Sequence, residues 1–197
     1  TTLFRSPEPM DRLICADVGF GKTEIALRAI FKAVMSGYQA AFIAPTTILT
    51  MQHYETIKER FEPYDVHVAI LNRFSSKKEQ KETIKKINNG EIDVVIATHR
   101  LLSDDIKFKK LGLLVVDEEH KFGVRQKEKL KKFKENIDVL SLSATPIPRT
   151  LNMALSGLKD MSVINTPPKN RLPIKTYVGE FNETYVKNAI NQEIQRE

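Results

Sequence analysis

The sequence predicts an α/β domain in which a mostly parallel β-sheet is flanked by helices on both faces. Two observations carry that prediction. Short runs rich in Val, Ile and Leu alternate along the 197 residues with longer segments of helical periodicity, the pattern of successive βαβ units. Several of the runs are apolar at every position rather than at every second one, as strands covered by helices on each side must be.

Taken in chain order, strands are predicted near Leu13–Ala16, Ala40–Ala44, His67–Leu71, Asp93–Ala97, Leu113–Asp117 and Val139–Ser143. The intervening helices carry their own start and stop signals. Ser76-Lys-Lys-Glu79 is a capping box that opens one of them, and Gly90 closes it at the expected end. Thr166-Pro-Pro-Lys-Asn-Arg-Leu-Pro173 reads as a linker, because its three prolines forbid a helix and favour extended chain. After it come a strand-like run, Ile174–Val178, and a helical pattern from about Asn182. The expected division is therefore 1–165 as one domain and 166–197 as a linker with the cut-off start of another.

Composition bounds the function classes. Apolar and charged fractions are those of a globular protein, and no apolar run approaches the roughly 18 residues needed to cross a membrane. The first residues lack the apolar core and cleavage site of a secretory signal. A single cysteine, Cys15, lies in an apolar strand and cannot form an internal disulfide, so a cytoplasmic setting is expected. The net charge of +6 favours a polyanionic partner. Much of that excess, however, lies in Lys77 to Lys86 and Lys127 to Lys134, where lysines alternate with glutamates at helical spacing as on solvated helix faces.

The segment Ala16-Asp-Val-Gly19-Phe-Gly21-Lys22-Thr23, between a predicted strand and an amphipathic helix, has the form of a phosphate-binding loop. Small residues let successive backbone N–H groups turn inward around phosphate oxygens, and the positive end of the next helix points at the same charge. Val18 to Thr23 would cradle the nucleotide, with Lys22 on the β and γ phosphates and the Thr23 hydroxyl on Mg²⁺. The strict pattern has glycine at the position of Ala16.

Leu113-Leu-Val-Val-Asp117-Glu118-Glu119-His120 ends an apolar strand in acids. In a parallel sheet ligands gather beyond the carboxyl ends of strands, which sets Asp117 across the crevice from the loop. Asp117 is suited to hold Mg²⁺ through water, and Glu118 to accept a proton from the attacking water. Loop and acids together point to ATP and Mg²⁺ as ligands.

These segments resemble motifs of superfamily 2 helicases. Asp117-Glu-Glu-His120 looks like motif II and Ser143-Ala-Thr145 like motif III, while Ala44-Pro-Thr-Thr-Ile-Leu49 and Ala97-Thr-His-Arg-Leu-Leu102 are similar to motifs Ia and Ib. An alanine at position 16 is a common variant in that superfamily. The resemblance implies a RecA-like P-loop domain, the first of two lobes of a nucleic-acid motor. It implies that Thr46, Thr47, Thr98, His99 and Arg100 line a DNA track, and that His120, Ser143 and Thr145 couple it to the γ-phosphate. Read singly, the threonines are better N-caps than DNA ligands, and Ser143 and Thr145 equally suit caps of the next helix.

His120-Lys-Phe-Gly-Val-Arg-Gln126 and Ala144-Thr-Pro-Ile-Pro-Arg-Thr-Leu151 narrow the likeness to transcription-repair coupling factors and RecG-type branch-migration helicases. Phe20, Arg100 and Asn152-Met-Ala-Leu-Ser-Gly-Leu158 favour the coupling factors, as does Asn72-Arg73-Phe74, where the resemblance sets Arg73 near DNA. It implies a translocase on double-stranded DNA that displaces stalled RNA polymerase and recruits excision-repair proteins, through parts outside this chain. The arginine finger normally comes from the second lobe, so the chain alone is expected to bind nucleotide weakly and barely turn it over. A RecG-like helicase and a nucleotide-dependent adaptor without hydrolysis are the alternatives. A P-loop kinase fits less well, having no role for the Asp-Glu-Glu-His and Ser-Ala-Thr segments.

Overall fold

The computed structural model describes residues 9–144, 160–169, 176 and 178–195. Seven strands form one sheet: β1 (Asp11–Ala16), β2 (Gln39–Ile43), β3 (Val68–Leu71), β4 (Val94–Ala97), β5 (Leu111–Asp117), β6 (Asp138–Ser143) and β7 (Asp160–Ile164). Their spatial order is β3-β4-β2-β5-β6-β1-β7, and every pairing is parallel. All six strands predicted before residue 145 are present to within two residues at either end.

Strand β7 escaped the sequence reading. It adds to the edge beside β1, pairing Arg12 with Asp160 and Ala16 with Ile164, and two of its five residues are exposed. Arg12 anchors it with hydrogen bonds to the Ser162 hydroxyl at 2.9 Å and the Asp160 carboxylate at 3.0 Å. The strand-like run Ile174–Val178 lies largely outside the described residues.

Strand pleating divides the core in two. Ala40, Phe42, Leu113, Val115, Leu140 and Leu142 pack with helices α1 (Lys22–Met35) and α2 (Thr47–Phe61). Their neighbours Ala41, Ile43, Leu114, Val116 and Val139 pack on the other face with α3 (Lys77–Asn89) and α4 (Val124–Lys134). Successive strand residues point to opposite faces, so the same alternation fixes where the residues just beyond each strand are sent.

The helix ends follow from local chemistry. Ser76 and Glu79 exchange the two hydrogen bonds of a capping box at 3.2 and 2.7 Å, and Gly90 closes α3 at φ +78°. At the sheet's amino-terminal edge, buried Gln39 donates to Ile87 O and Ile92 O and accepts from the N–H groups of Lys109 and Lys110. One side chain thus satisfies four backbone groups where three segments meet. A last helix, α5 (Glu183–Ile194), starts at Asn182, whose side chain accepts from Thr184 N at 2.9 Å.

Candidate functional site

Because every strand is parallel, the loops after β1, β2, β3, β4, β5 and β6 all leave from one edge of the sheet. Reading across it, the order is Asn72-Arg73-Phe74, Thr98-His99-Arg100, Thr46-Thr47, Asp117-Glu118, Ser143 and then the loop of residues 16–23. The two segments predicted to hold nucleotide are separated by the end of β6 alone, and β5 also borders β2.

The loop after β1 turns on two glycines in the left-handed region, Gly19 at φ +78° and Gly21 at φ +83°. Gly21 is the N-cap of α1, and a Cβ built on it would meet nothing within 4 Å. No side chain caps α1, and within its first turn the Glu24 N–H donates to Gly21 O at 3.0 Å; the positive end of such a helix favours an anion. Lys22 folds over the loop and donates from Nζ to Ala16 O at 2.6 Å and Asp17 O at 3.0 Å. Val18 and Gly19 are exposed on the rim, and Thr23 is half-buried at the start of the helix.

The strand alternation sorts the three acids after β5. Leu113 and Val115 face α1 and α2, so Asp117 does too, and its Oδ2 lies 3.3 Å from Nε2 of His53 on α2. Glu118 then breaks the strand. It is the one non-glycine residue among those described with positive φ, at +51°, while its N–H still donates to Leu142 O at 2.9 Å. Such backbone positions are costly and recur at functional sites. The carboxylate of Glu118 accepts from Ala144 N at 3.3 Å through Oε1 and lies 3.2 Å from His120 Nδ1 through Oε2. Glu119 goes to the opposite face, where Oε2 accepts from the Ser141 hydroxyl at 2.8 Å and Oε1 lies 3.4 Å from Lys134 Nζ. Lys134 also meets Asp11 at 3.1 Å.

The residues predicted to face DNA occupy the other half of the edge, in three different states. Thr46 caps α2, its hydroxyl accepting from Leu49 N at 3.3 Å, whereas Thr98 precedes a 3₁₀ turn (His99–Leu102) with no side-chain capping bond. Thr47 O accepts from the fully buried Thr50 hydroxyl at 2.7 Å, which locks the first turn of α2. Arg100 is forked onto Asp105 with bonds of 2.7 and 2.6 Å, while His99 beside it is exposed. The forked bonds hold the Asp105 carboxyl below the usual carboxylate range and raise the Arg100 guanidinium above its own. Arg73 lies 5.3 Å from the Phe74 ring centre, and that ring is 66% exposed. Asn72 and Gln80 fix the turn that presents them.

Ser143 is buried at the end of β6, and Thr145 lies outside the described residues together with the segments 145–151 and 152–158 that carried part of the resemblance. Sequence reasoning missed His53 and the Glu119–Ser141–Lys134 cluster. The signal for His53 was its place on the inward stripe of α2, between Thr50 and Ile57, both fully buried.

A family model of DEAD/DEAH box helicases matches residues 3–154. The chain belongs to that helicase family. Membership implies nucleotide binding, and it accounts for a loop and an acidic strand end meeting on one sheet edge. This helicase domain is similar to the transcription-repair-coupling factor of Bacillus subtilis (strain 168), at 58% identity over 188 residues, which is 95% of this chain and 16% of that protein. It is 56% identical to the transcription-repair-coupling factor of Staphylococcus haemolyticus (strain JCSC1435), again over 16% of the relative. The helicase domain therefore spans about a sixth of the length of the curated relatives it matches. Among solved structures it is similar to RecG bound to a three-way DNA junction, with a TM-score of 0.81 and 37% identity over 99% of this chain and 26% of that one.

Among the described residues no helix is long and apolar enough to cross a membrane. Nor is there among them a group of three or more His, Cys, Asp or Glu side chains that would hold a metal ion by themselves. Mg²⁺ typically binds through one or two protein oxygens together with water and substrate phosphates. The oxygen donors Thr23 and Asp117 fit that mode.

Proposed function

We propose that the chain is the ATP-binding lobe of an ATP-dependent translocase on double-stranded DNA, one that displaces stalled RNA polymerase and couples transcription to excision repair. Residues 1–165 are the lobe, and 166–197 are a linker with the start of a second lobe, which supplies the remaining catalytic groups. The observation that carries this reading is the order of strands: β5 brings its acids between the phosphate loop on one side and the threonine loops on the other. The higher identity to coupling factors, 58% against 37% for RecG, favours polymerase displacement over branch migration.

In this scheme the N–H groups of residues 18–23 and the Nζ of Lys22 bind the β and γ phosphates of ATP, Lys22 exchanging its two carbonyl partners for phosphate oxygens. Thr23 and Asp117 hold Mg²⁺, which neutralises phosphate charge when bound. Glu118 accepts the proton of the attacking water through one carboxylate oxygen, its orientation set by the Ala144 N–H and His120. His120 and Ser143 relay the state of the γ-phosphate, with Thr145, to the nucleic-acid side. Thr46, Thr47, Thr98, His99, Arg100 and Arg73 contact the DNA backbone, which positions a duplex without reading its sequence.

The test uses the full-length protein and its Glu118→Gln variant, followed for ATP hydrolysis with linear duplex, with branched DNA and with a stalled polymerase. Hydrolysis stimulated by linear duplex, with polymerase release that the variant cannot perform, is the expected result. Stimulation confined to branched DNA with the polymerase left in place would transfer the proposal to fork remodelling.

A further inference from the structure

The side chain of His53 makes a contact that the scheme above does not use. It sits on α2 with its ring against Phe42, centres 4.3 Å apart, and Phe42 is fully buried on β2. Its Nε2 lies 3.3 Å from Asp117 Oδ2, and the two side chains are only 12% and 13% exposed. A carboxylate oxygen accepts, so Nε2 is the donor. The ring is thus held by packing, and its N–H fixes one of the two oxygens of a carboxylate at a strand end.

From this geometry we infer that His53 is a positioning residue for Asp117: it sets the rotation of the carboxylate that meets Mg²⁺ and fastens it to α2. The inference rests on the proposed role of Asp117 as metal ligand. Partners that hydrogen-bond a ligating carboxylate orient it, and losing one lowers metal affinity by roughly 10–100-fold in known sites. Here the partner stands on the helix that Thr46 opens. From Thr47 to His53 is six residues, or about 9 Å of helix at 1.5 Å per residue. That first turn is stiffened by the Thr46 cap and by the buried Thr50 hydroxyl on Thr47 O. The loop after β2 and the Asp117 carboxylate are thus tied to the same helix, on a different contact from the His120–Glu118 pair.

The test measures Mn²⁺ affinity by electron paramagnetic resonance in the full-length protein with a non-hydrolysable ATP analogue, for wild type, His53→Ala, His53→Gln and Asp117→Asn. Thermal melting of each variant without metal or nucleotide reports the fold. His53→Ala is expected to lose on the order of ten-fold or more in Mn²⁺ affinity. His53→Gln, whose amide can still donate, is expected to recover part of that loss at the same melting temperature as His53→Ala. Equal Mn²⁺ affinity in wild type and His53→Ala would overturn the inference, as would equal losses in Ala and Gln variants that track their melting temperatures. Asp117→Asn separates the two levels: if it too leaves Mn²⁺ affinity intact, the assignment of Asp117 fails, and if it alone abolishes binding, only the role of His53 does.

Discussion

The two halves of the sheet's carboxyl edge are built differently. Around β1, β6 and β5 the working groups are held by backbone and buried partners: Lys22 by two loop carbonyls, Glu118 by the Ala144 N–H and a left-handed φ, Asp117 by His53. Around β4 and β3 they are short-loop side chains that pair with a near neighbour, Arg100 with Asp105 and Arg73 with Phe74, while Thr46 after β2 caps its own helix. The first half suits a ligand of fixed shape, whose phosphates must meet donors within a fraction of an ångström. The second suits a polyanion gripped by charge, where exposed contacts exchange partners easily and carry little energy each.

The sharpest way to break that contrast is at Glu118. In the full-length protein Glu118→Gln is expected to lower ATP turnover by roughly 10²–10⁴-fold, the range for a general base, while nucleotide binding stays within a few-fold of wild type. Loss of binding alongside turnover would mean that the residue shapes the site instead of acting on water. On the other half, Arg73→Ala and Arg100→Ala should each weaken duplex binding about equally for all sequences. Each should also reduce the slope of log affinity against log salt by about one. A sequence-dependent loss would mean that these loops read bases.

A smaller effect tests the scaffold beneath both halves. Gly90 closes α3 at φ +78°, and a Cβ there would come nearest the flexible Lys109 side chain, at 3.0 Å. Gly90→Ala should destabilise the fold by about 1–2 kcal/mol through its left-handed backbone, read by denaturant unfolding, and leave nucleotide and DNA binding unchanged.

The smallest expected effect concerns pH. Asp105 has its carboxyl held below the ordinary range, chiefly by the forked bonds from Arg100. A depressed carboxylate contributes stability above its unfolded pKa and loses it as pH falls through the folded value. The melting difference between wild type and Asp105→Asn should therefore be constant near neutrality and shrink to nothing in acid below the usual Asp range. A difference that grew in acid would contradict the pairing. The same variant frees Arg100, so duplex affinity should rise modestly.

What could be read from the sequence was whatever a short segment dictates by itself. Gly19, Gly21, Lys22 and Thr23 were legible because the turn they make is a matter of local backbone, and the acids after β5 because an apolar strand ending in Asp-Glu-Glu is a local pattern. The capping box of Ser76 and Glu79 was visible for the same reason. His53 was not, because its role requires knowing that the inward stripe of α2 lies over the end of β5, a long-range fact. The threonines show the same limit. Thr46 caps its helix and Thr98 does not, although both follow a strand and precede a helical turn. Strand β7 was missed because an edge strand of mixed Asp, Met, Ser and Val has no periodic signature, and is recognised only by its neighbour β1.

The most direct test of the account as a whole is ATP turnover by the full-length protein with and without linear duplex DNA, at two salt concentrations. If one sheet edge serves both ligands, duplex DNA should raise turnover, and the stimulation should fade as salt loosens the DNA. Turnover indifferent to DNA at low salt would contradict the account, leaving a nucleotide site with no link to the loops beside it.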